Sequence, residues 1–256
     1  AGPMARNVRD LAMLLSVMQG FDARLPLTRR FDSSCNGQAP LTRDVAGCRV
    51  GWLGDLGRRL PMSPGLLATQ EKSLQVFRDL GCEVDEASLD ADLESAWRAW
   101  ITLRSFQFTG ANLALYEDAD KRALLKPEAV WEIELGLKHT GVQVYQAAKA
   151  RSAFYQAMRQ LLTRFDFLVM PATQVAPFPI AWDWPKHVGA RAMDSYHRWM
   201  ECSVPATLAG LPALSAPAGF DAQGLPAGIQ IIGATQADWA VLQLGHAYDL
   251  ASNWSA

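Results

Sequence analysis

Apolar positions along this chain switch between a period of 3.6 residues and short unbroken runs, the pattern of helices packed on a buried sheet. The first periodic stretch follows Asn7, whose side chain is placed to cap the amide of Asp10. Val8, Leu11, Ala12, Leu15 and Met18 then share one face, and Gly20 ends the helix. Residues 22–47, rich in Asp, Pro, Ser and Gly, read as loop. Arg49-Val50-Gly51-Trp52-Leu53 reads as a short buried strand. Ser63-Pro64 starts a helix that runs to Gly81, and Cys82-Glu83-Val84 opens a second strand. Strand, helix and strand of this length form a βαβ-like unit, which predicts a parallel pair and the α/β class.

From about 91 to 165 the chain reads as mostly helical, with Val142, Tyr145, Lys149 and Ser152 to Leu162 in helical period. Phe167-Leu168-Val169-Met170 is a continuous apolar strand ended by Pro171. Residues 174–195 make a long connection containing Pro and Trp, the kind of loop that often lines a site. A helix near 196–209 leads to Gly210-Leu211-Pro212. Strands around Leu214–Ala218 and Gly228–Ile232 follow, joined by the turn Asp221-Ala222-Gln223-Gly224. Thr235 with Asp238 is placed to start the last helix as a capping box. There is no internal repeat and no low-complexity tract.

Composition adds limits more than direction. A chain of 256 residues can bury roughly 70–75% of its unfolded surface, enough for a sizeable core. Half of its residues are hydrophobic and 20% are charged, as in ordinary globular proteins. A net charge of −2 gives no reason to expect nucleic acid or an anionic membrane. No apolar run approaches the ~18 residues that span a bilayer, and no signal peptide opens the chain. Cys35, Cys48, Cys82 and Cys202 are widely spread with no C-x-x-C pair, which fits reduced thiols in a cytoplasmic protein better than a disulfide framework or zinc. The chain opens on Gly2-Pro3-Met4, almost directly on a helix, and reads as a piece of something larger.

Candidate chemistry is sparse. Gly51-Trp52-Leu53-Gly54-Asp55-Leu56-Gly57 follows a strand but spaces its glycines G-x-x-G-x-x-G, where a dinucleotide loop needs G-x-G-x-x-G; a structural turn is the better reading. Ser33-Ser34 lacks the Gly-rich flank and nearby lysine of a serine nucleophile and reads as a solvated turn. His139, His187, His197 and His246 never fall at i, i+4, so no metal site is expected. The acidic pairs, Glu132 with Glu134 and Glu83 with Asp85 and Glu86, read as solvated faces. Trp97, Trp100 and Trp131 read as core, while Trp182, Trp184 and Trp199 could wall a pocket or pack in the core.

One segment says more. Thr207-Leu208-Ala209-Gly210-Leu211-Pro212-Ala213-Leu214-Ser215-Ala216-Pro217-Ala218-Gly219-Phe220 is followed by Gly224-Leu225-Pro226-Ala227-Gly228-Ile229-Gln230-Ile231-Ile232-Gly233. Its glycines and prolines fix sharp backbone directions, and its short apolar runs require a buried sheet. The string resembles the carboxyl-terminal block of amidase-signature enzymes. Gly2 to Val8, Arg49 to Asp55, Phe165 to Thr173 and Met193 to Trp199 resemble other parts of that family in the same order, so the similarity covers nearly the whole chain. It is weakest between about 85 and 160.

The resemblance implies one partial domain over residues 1–256, part of an α/β/α fold with a mixed sheet flanked by helices. It implies hydrolysis of a small-molecule carboxylic amide without metal or organic cofactor. In the family a serine attacks the carbonyl, a cis-peptide serine relays the proton, a neutral lysine is the base, and a Gly/Ser-rich loop holds the oxyanion. Those parts lie in a Gly-Ser-Ser-Gly-Gly-Ser-like motif and an earlier lysine, and no match to them occurs in this sequence. No catalytic residue is therefore carried over. The chain is expected to supply scaffold and pocket wall, with Thr173, Trp199 and Thr207 as substrate-side residues, and to be inactive alone. The partners implied are the missing amino-terminal half or a further copy of the chain, with no nucleic acid and no membrane. The alternatives are a non-catalytic subunit that docks on another chain and a nucleotide-binding α/β domain resting on Gly51–Gly57.

Overall fold

The computed structural model describes residues 2–26, 28 and 40–252. Helix α1 (Val8–Met18) starts as its sequence requires, with the Asn7 side chain accepting from the Asp10 amide. Strand β1 (Arg49–Trp52) leads through α2 (Leu66–Lys72) and α3 (Leu74–Asp79) to β2 (Glu83–Glu86). β1 and β2 pair in parallel, as the βαβ reading expects. The expected single helix from Ser63 is shorter and divided. Gly65, in the left-handed region, precedes α2, and the chain breaks again at Ser73.

Four helices follow: α4 (Leu93–Glu117), α5 (Ala119–Arg122), α6 (Pro127–Leu137) and α7 (Gly141–Leu161). Thr140 and Gln143 close a reciprocal capping box at the start of α7. The helical period across α7 is real, but its face differs from the expected one. Ala147, Phe154, Met158 and Leu161 are buried while Val142 and Tyr145 point to solvent. Strand β3 (Phe167–Pro171), buried at every position, comes next. The long connection holds only a two-residue hairpin, β4 (His187–Val188) and β5 (Arg191–Ala192). The expected helix at 196–209 is a 3-10 turn (Arg198–Ser203) running into α8 (Val204–Ala209). β6 (Ala213–Phe220), β7 (Pro226–Ile232) and α9 (Asp238–Ser252) complete the described chain. The last helix begins later than a cap at Thr235 requires, because the Thr235 hydroxyl bonds Tyr155 at 3.0 Å.

The sheet is mixed and runs β2-β1-β3-β7-β6. β1 pairs in parallel with β2 and β3, and β7 runs antiparallel to both β3 and β6. Each face has its own core. Val50, Phe167, Val169, Ile229 and Ile231 meet α1, α3 and α9 on one side. Leu168, Met170 and Ile232 meet α4, α7 and α8 on the other. This is the expected α/β/α layering. Ile229, Ile231 and Ile232 are fully buried, each stabilising the fold by about 1.5–3 kcal/mol relative to exposure. Gly51 explains part of the glycine run, since a Cβ there would lie 2.9–3.0 Å from Phe165, Ala87 and Leu168. It lets the chain segments around β1 close up. Ser33 and Ser34 lie outside the described residues.

Candidate functional site

The carboxyl end of β3 leads into Thr173, one of the expected substrate-side residues, and three buried glutamines hold it in place. Gln70 on α2 donates to the carbonyls of Thr173 (3.1 Å) and Gly228 (3.0 Å). Gln174 donates to Pro61 O (3.2 Å) and accepts from the Cys202 amide (2.9 Å). Gln230 on β7 donates to the carbonyls of Pro171 and Cys202, both at 2.9 Å. Buried amides of this kind satisfy main-chain groups that a turn would otherwise leave without partners. They tie the segment after β3 to α2, to β7 and to the 3-10 turn. Sequence reading missed all three, because a glutamine carries no pattern of its own.

Thr173 is half-buried, and its hydroxyl closes a turn on itself, donating to Val175 O (3.0 Å) and accepting from the Val175 amide (3.2 Å). Val175 joins Val188 and Met193 in a small core against which Phe178, Trp184 and Trp199 pack. Trp199 meets Phe178 edge-on at 5.6 Å and Tyr196 at 6.2 Å, and Phe178 stacks with the exposed Trp182 at 6.2 Å. The structure thus brings Thr173 and Trp199 to one aromatic wall. The Trp199 Nε1 is buried with no hydrogen-bond partner among the described residues. Thr207 stands apart on the exposed side of α8, its hydroxyl donating to Ser203 O at 2.8 Å.

An ion-pair network lies behind this wall. Arg59 bonds Glu94 and, at 3.0 Å, Glu201. Arg198 bonds Asp194 (3.0 Å) and Glu201 (3.2 Å) and lies 4.1 Å over the Trp97 ring. Burial pushes the Asp194 carboxyl up, but the Arg198 hydrogen bond and charge outweigh it and hold the group below its ordinary range. Burial likewise opposes the charge on Arg198, and Asp194 and Glu201 more than restore it. These pairs join the loop before the 3-10 turn to α4 and to the loop after β1. Beside them Glu132, expected on a solvated face, is buried and pairs with Arg104 at 2.9 Å. His197 is buried there too, its Nε2 3.0 Å from Arg104 Nε and 3.3 Å from Glu132. Trp97 and Trp100 are core residues, as expected, but Trp131 is 40% exposed.

A serine–histidine contact exists away from the wall. Ser105 Oγ on α4 lies 2.9 Å from His139 Nε2. The hydroxyl proton is already committed to Ile101 O at 2.7 Å, so the histidine is the donor in this pair. Burial pushes the His139 pKa down, and Ser105 itself has no exposed surface. The pair braces α4: the Ser105 hydroxyl is buried, while His139 is half-buried and lines a separate cavity between α4 and α7.

The loop after β1 also lacks nucleotide chemistry. Gly54 (φ 51°), Leu56 (56°), Gly57 (66°) and Arg58 (68°) turn left-handed, and the next helix starts only at Leu66. A cavity of about 430 Å³ beside the turn is lined by Trp52, Asp55, Glu71 and Glu86 among others, with no lysine or arginine. Phosphate would meet the carboxylates of Asp55, Glu71 and Glu86 there with no cationic side chain beside them.

Comparison with known proteins agrees with this architecture. The Amidase family matches residues 1–242, and the chain belongs to that family. A glutamyl-tRNA(Gln) amidotransferase subunit from Roseiflexus sp. (strain RS-1) is 29% identical over 283 residues, covering 99% of this chain and 54% of that protein. The corresponding protein of Chloroflexus aurantiacus is 28% identical with the same coverage. Among solved structures, a bacterial aryl acylamidase of the amidase-signature enzymes superposes with a TM-score of 0.87 at 27% identity, over 99% of this chain and 53% of its own. A 6-aminohexanoate cyclic dimer hydrolase shares the fold, with a TM-score of 0.80 at 19% identity. The chain spans about half the length of the curated relatives it matches.

Proposed function

We propose that this chain supplies the scaffold and one wall of the substrate pocket of a carboxylic amide hydrolase, and that it does not turn over amides on its own. The observation that carries this reading is where hydroxyls beside the wall and away from it are committed; Ser195, next to Tyr196, donates to the Asp194 carboxylate that Arg198 holds. Thr173, Ser203, Thr207 and Ser105 each donate to a main-chain carbonyl. Among the described residues none of these four stands beside a base free to take its proton, which a serine nucleophile requires. Family membership supports amide hydrolysis as the chemistry of the whole enzyme.

Thr173 and Trp199 are the wall residues of this reading, with Thr207 at its margin. The edge-to-face aromatics around Trp199 suit a flat apolar substituent on the amide, and the similar aryl acylamidase is named for such a group. Cys48, Cys82 and Cys202 are free and buried, which fits the reducing cytoplasm. The test is an assay of the purified 256-residue chain with acetanilide and with acetamide. No hydrolysis above buffer is expected for either. Turnover that survives Ser33→Ala with Ser34→Ala would overturn the reading.

A further inference from the structure

The segments that lead into β1 and β2 already run side by side before either strand begins. Gly47 N–H donates to Gly81 O at 2.8 Å, and Glu83 N–H donates to Cys48 O at 2.9 Å. The first paired residues of the two strands are Arg49 and Glu83. Cys48 and Cys82 are therefore one step ahead of that register, opposite each other between the two bonds. Neighbouring strands lie about 4.7–4.9 Å apart, inside the Cα separation of about 4.4–6.8 Å that a disulfide accepts. Both side chains also point the same way. Successive residues of a strand alternate between faces. Cys48 stands two positions before Val50 and Cys82 two before Val84, and all four pack in the core on the α1, α3 and α9 side of the sheet.

Both thiols are free and buried. Cys82 Sγ–H donates only to Val45 O, at 3.3 Å, a weak bond for a thiol. Burial raises both thiols above the ordinary cysteine range, and the charge of a Cys48 thiolate raises Cys82 further. That repulsion is felt because the two sulfurs are close. At Cys48 the Arg43 guanidinium works against burial and against the Asp166 and Asp44 carboxylates. With that cation acting on it, Cys48 is the sulfur that deprotonates first. Cys202 has no such neighbour. It is buried on the other face of the sheet, with its thiol pushed up to about 12.

We propose that Cys48 and Cys82 form an oxidative modification site, at which hydrogen peroxide converts the pair to a reversible disulfide that staples β2 to β1. The Cys48 thiolate attacks one peroxide oxygen, the O–O bond breaks, hydroxide leaves, and Cys48 becomes a sulfenic acid. The Cys82 thiolate then attacks that sulfur. The S–S bond forms, the S–O bond breaks, and a second hydroxide leaves. With the two thiol protons, the products are one disulfide and two waters, and a reducing thiol reverses the bond by exchange. The position at the sheet edge suits this chemistry. β2 is an outer strand of four residues with Glu83, Asp85 and Glu86 exposed, so a local opening is enough to admit a small oxidant. The bond would close a loop of roughly 35 residues that contains α2 and α3. With α2 it encloses Gln70, which holds the Thr173 and Gly228 carbonyls.

The test treats the folded 256-residue chain, carrying Cys35→Ser so that only Cys48, Cys82 and Cys202 remain, with excess hydrogen peroxide. Remaining thiols are then blocked with iodoacetamide in urea and the peptides are mapped. A peptide pair joined through Cys48 and Cys82 should hold most of the oxidised sulfur, with Cys202 alkylated, and dithiothreitol should release it. The oxidised chain should unfold about 5–10 °C above the reduced one. In Cys82→Ala, dimedone should trap Cys48 roughly tenfold more than in the parent, because no second thiol consumes the sulfenic acid. In Cys48→Ala, Cys82 should stay reduced. A joined peptide that is absent from the folded chain, or that forms only in urea, overturns the proposal. So do bridges that run through Cys202 or between two chains, and so does an oxidised chain that unfolds no higher than the reduced one. If the alanine variants do not fold, the parent still decides: sulfinic acid on Cys48 beside a free Cys82 thiol would show that the two sulfurs do not meet, and would overturn the proposal.

Discussion

The two outer strands of the sheet meet solvent in opposite ways. β2 is four residues long and exposes Glu83, Asp85 and Glu86. Charge and brevity both discourage another strand from pairing there. β6 is twice as long, carries no charge, and alternates buried Leu214, Ala216 and Ala218 with exposed Ala213, Ser215 and Pro217. Its covered face packs on α9 through Leu214 and Tyr248, while the helical layer of the other face is not drawn over it. β2 is built to end a sheet, and β6 is built like a strand within one. Only Pro217 and the bulge between Pro217 and Gly219 limit how far pairing along β6 could run.

The comparison breaks most readily under β6. A Cβ at Gly245 on α9 would lie 2.0 Å from Leu214 Cδ2, so Gly245→Val should lift the helix from the strand. A loss of about 3 kcal/mol is expected, read as a lower midpoint in urea unfolding. An unchanged midpoint would mean that α9 does not hold β6.

At the other edge, Cys82 reports on opening. Burial pushes its thiol up to about 11, and its Sγ–H donates to Val45 O at 3.3 Å. The thiolate is the reactive form, and it becomes scarcer as the pKa rises. Iodoacetamide at pH 8 should therefore modify Cys82 roughly a hundredfold more slowly than an unperturbed cysteine, with the rate rising as pH climbs toward 11. Rapid alkylation at pH 8 in the native protein would show that β2 frays.

Tyr248→Phe removes the hydroxyl that occupies the Pro217 carbonyl and should cost about 1–2 kcal/mol. No change in urea midpoint would mean that water serves the carbonyl equally well, and that the β6 edge is more open than its bonds indicate. The smallest effect is expected from Ser215→Lys, which adds a charge at the open edge. Stability of the 256-residue chain should stay within about 0.5 kcal/mol. A large loss would show that the outer face of β6 is already covered.

Much of the fold was legible because it rests on local rules. Asn7 marks the start of α1, the run Phe167–Met170 reads as a strand buried on both faces, and the turn at Asp221–Gly224 joins β6 to β7. The misreadings share one cause. Glu132 looked solvated because sequence shows its charge and not Arg104, twenty-eight positions away. Trp131, taken for core, sits on a helix whose buried residues are Glu132, Ile133 and Gly136. Thr235 could cap a helix by pattern, but Tyr155 from α7 takes its hydroxyl. At the candidate site, Trp199 and Thr173 could be named from the family string. The glutamines and arginines that position them could not, since their partners lie up to 158 residues away.

Family, α/β class and the place of most elements were already legible along the chain, because periodicity, capping residues and the paired Gly-Leu-Pro segments act over a few neighbours. Tertiary structure alone decided which strand edge is closed by charge and which is left open. It also decided which polar groups are buried as braces and which face of α1 stays exposed among the described residues. Those outcomes depend on layers meeting across long sequence separations, where burial and hydrogen-bond geometry are set by three-dimensional packing and not by any residue's own preference.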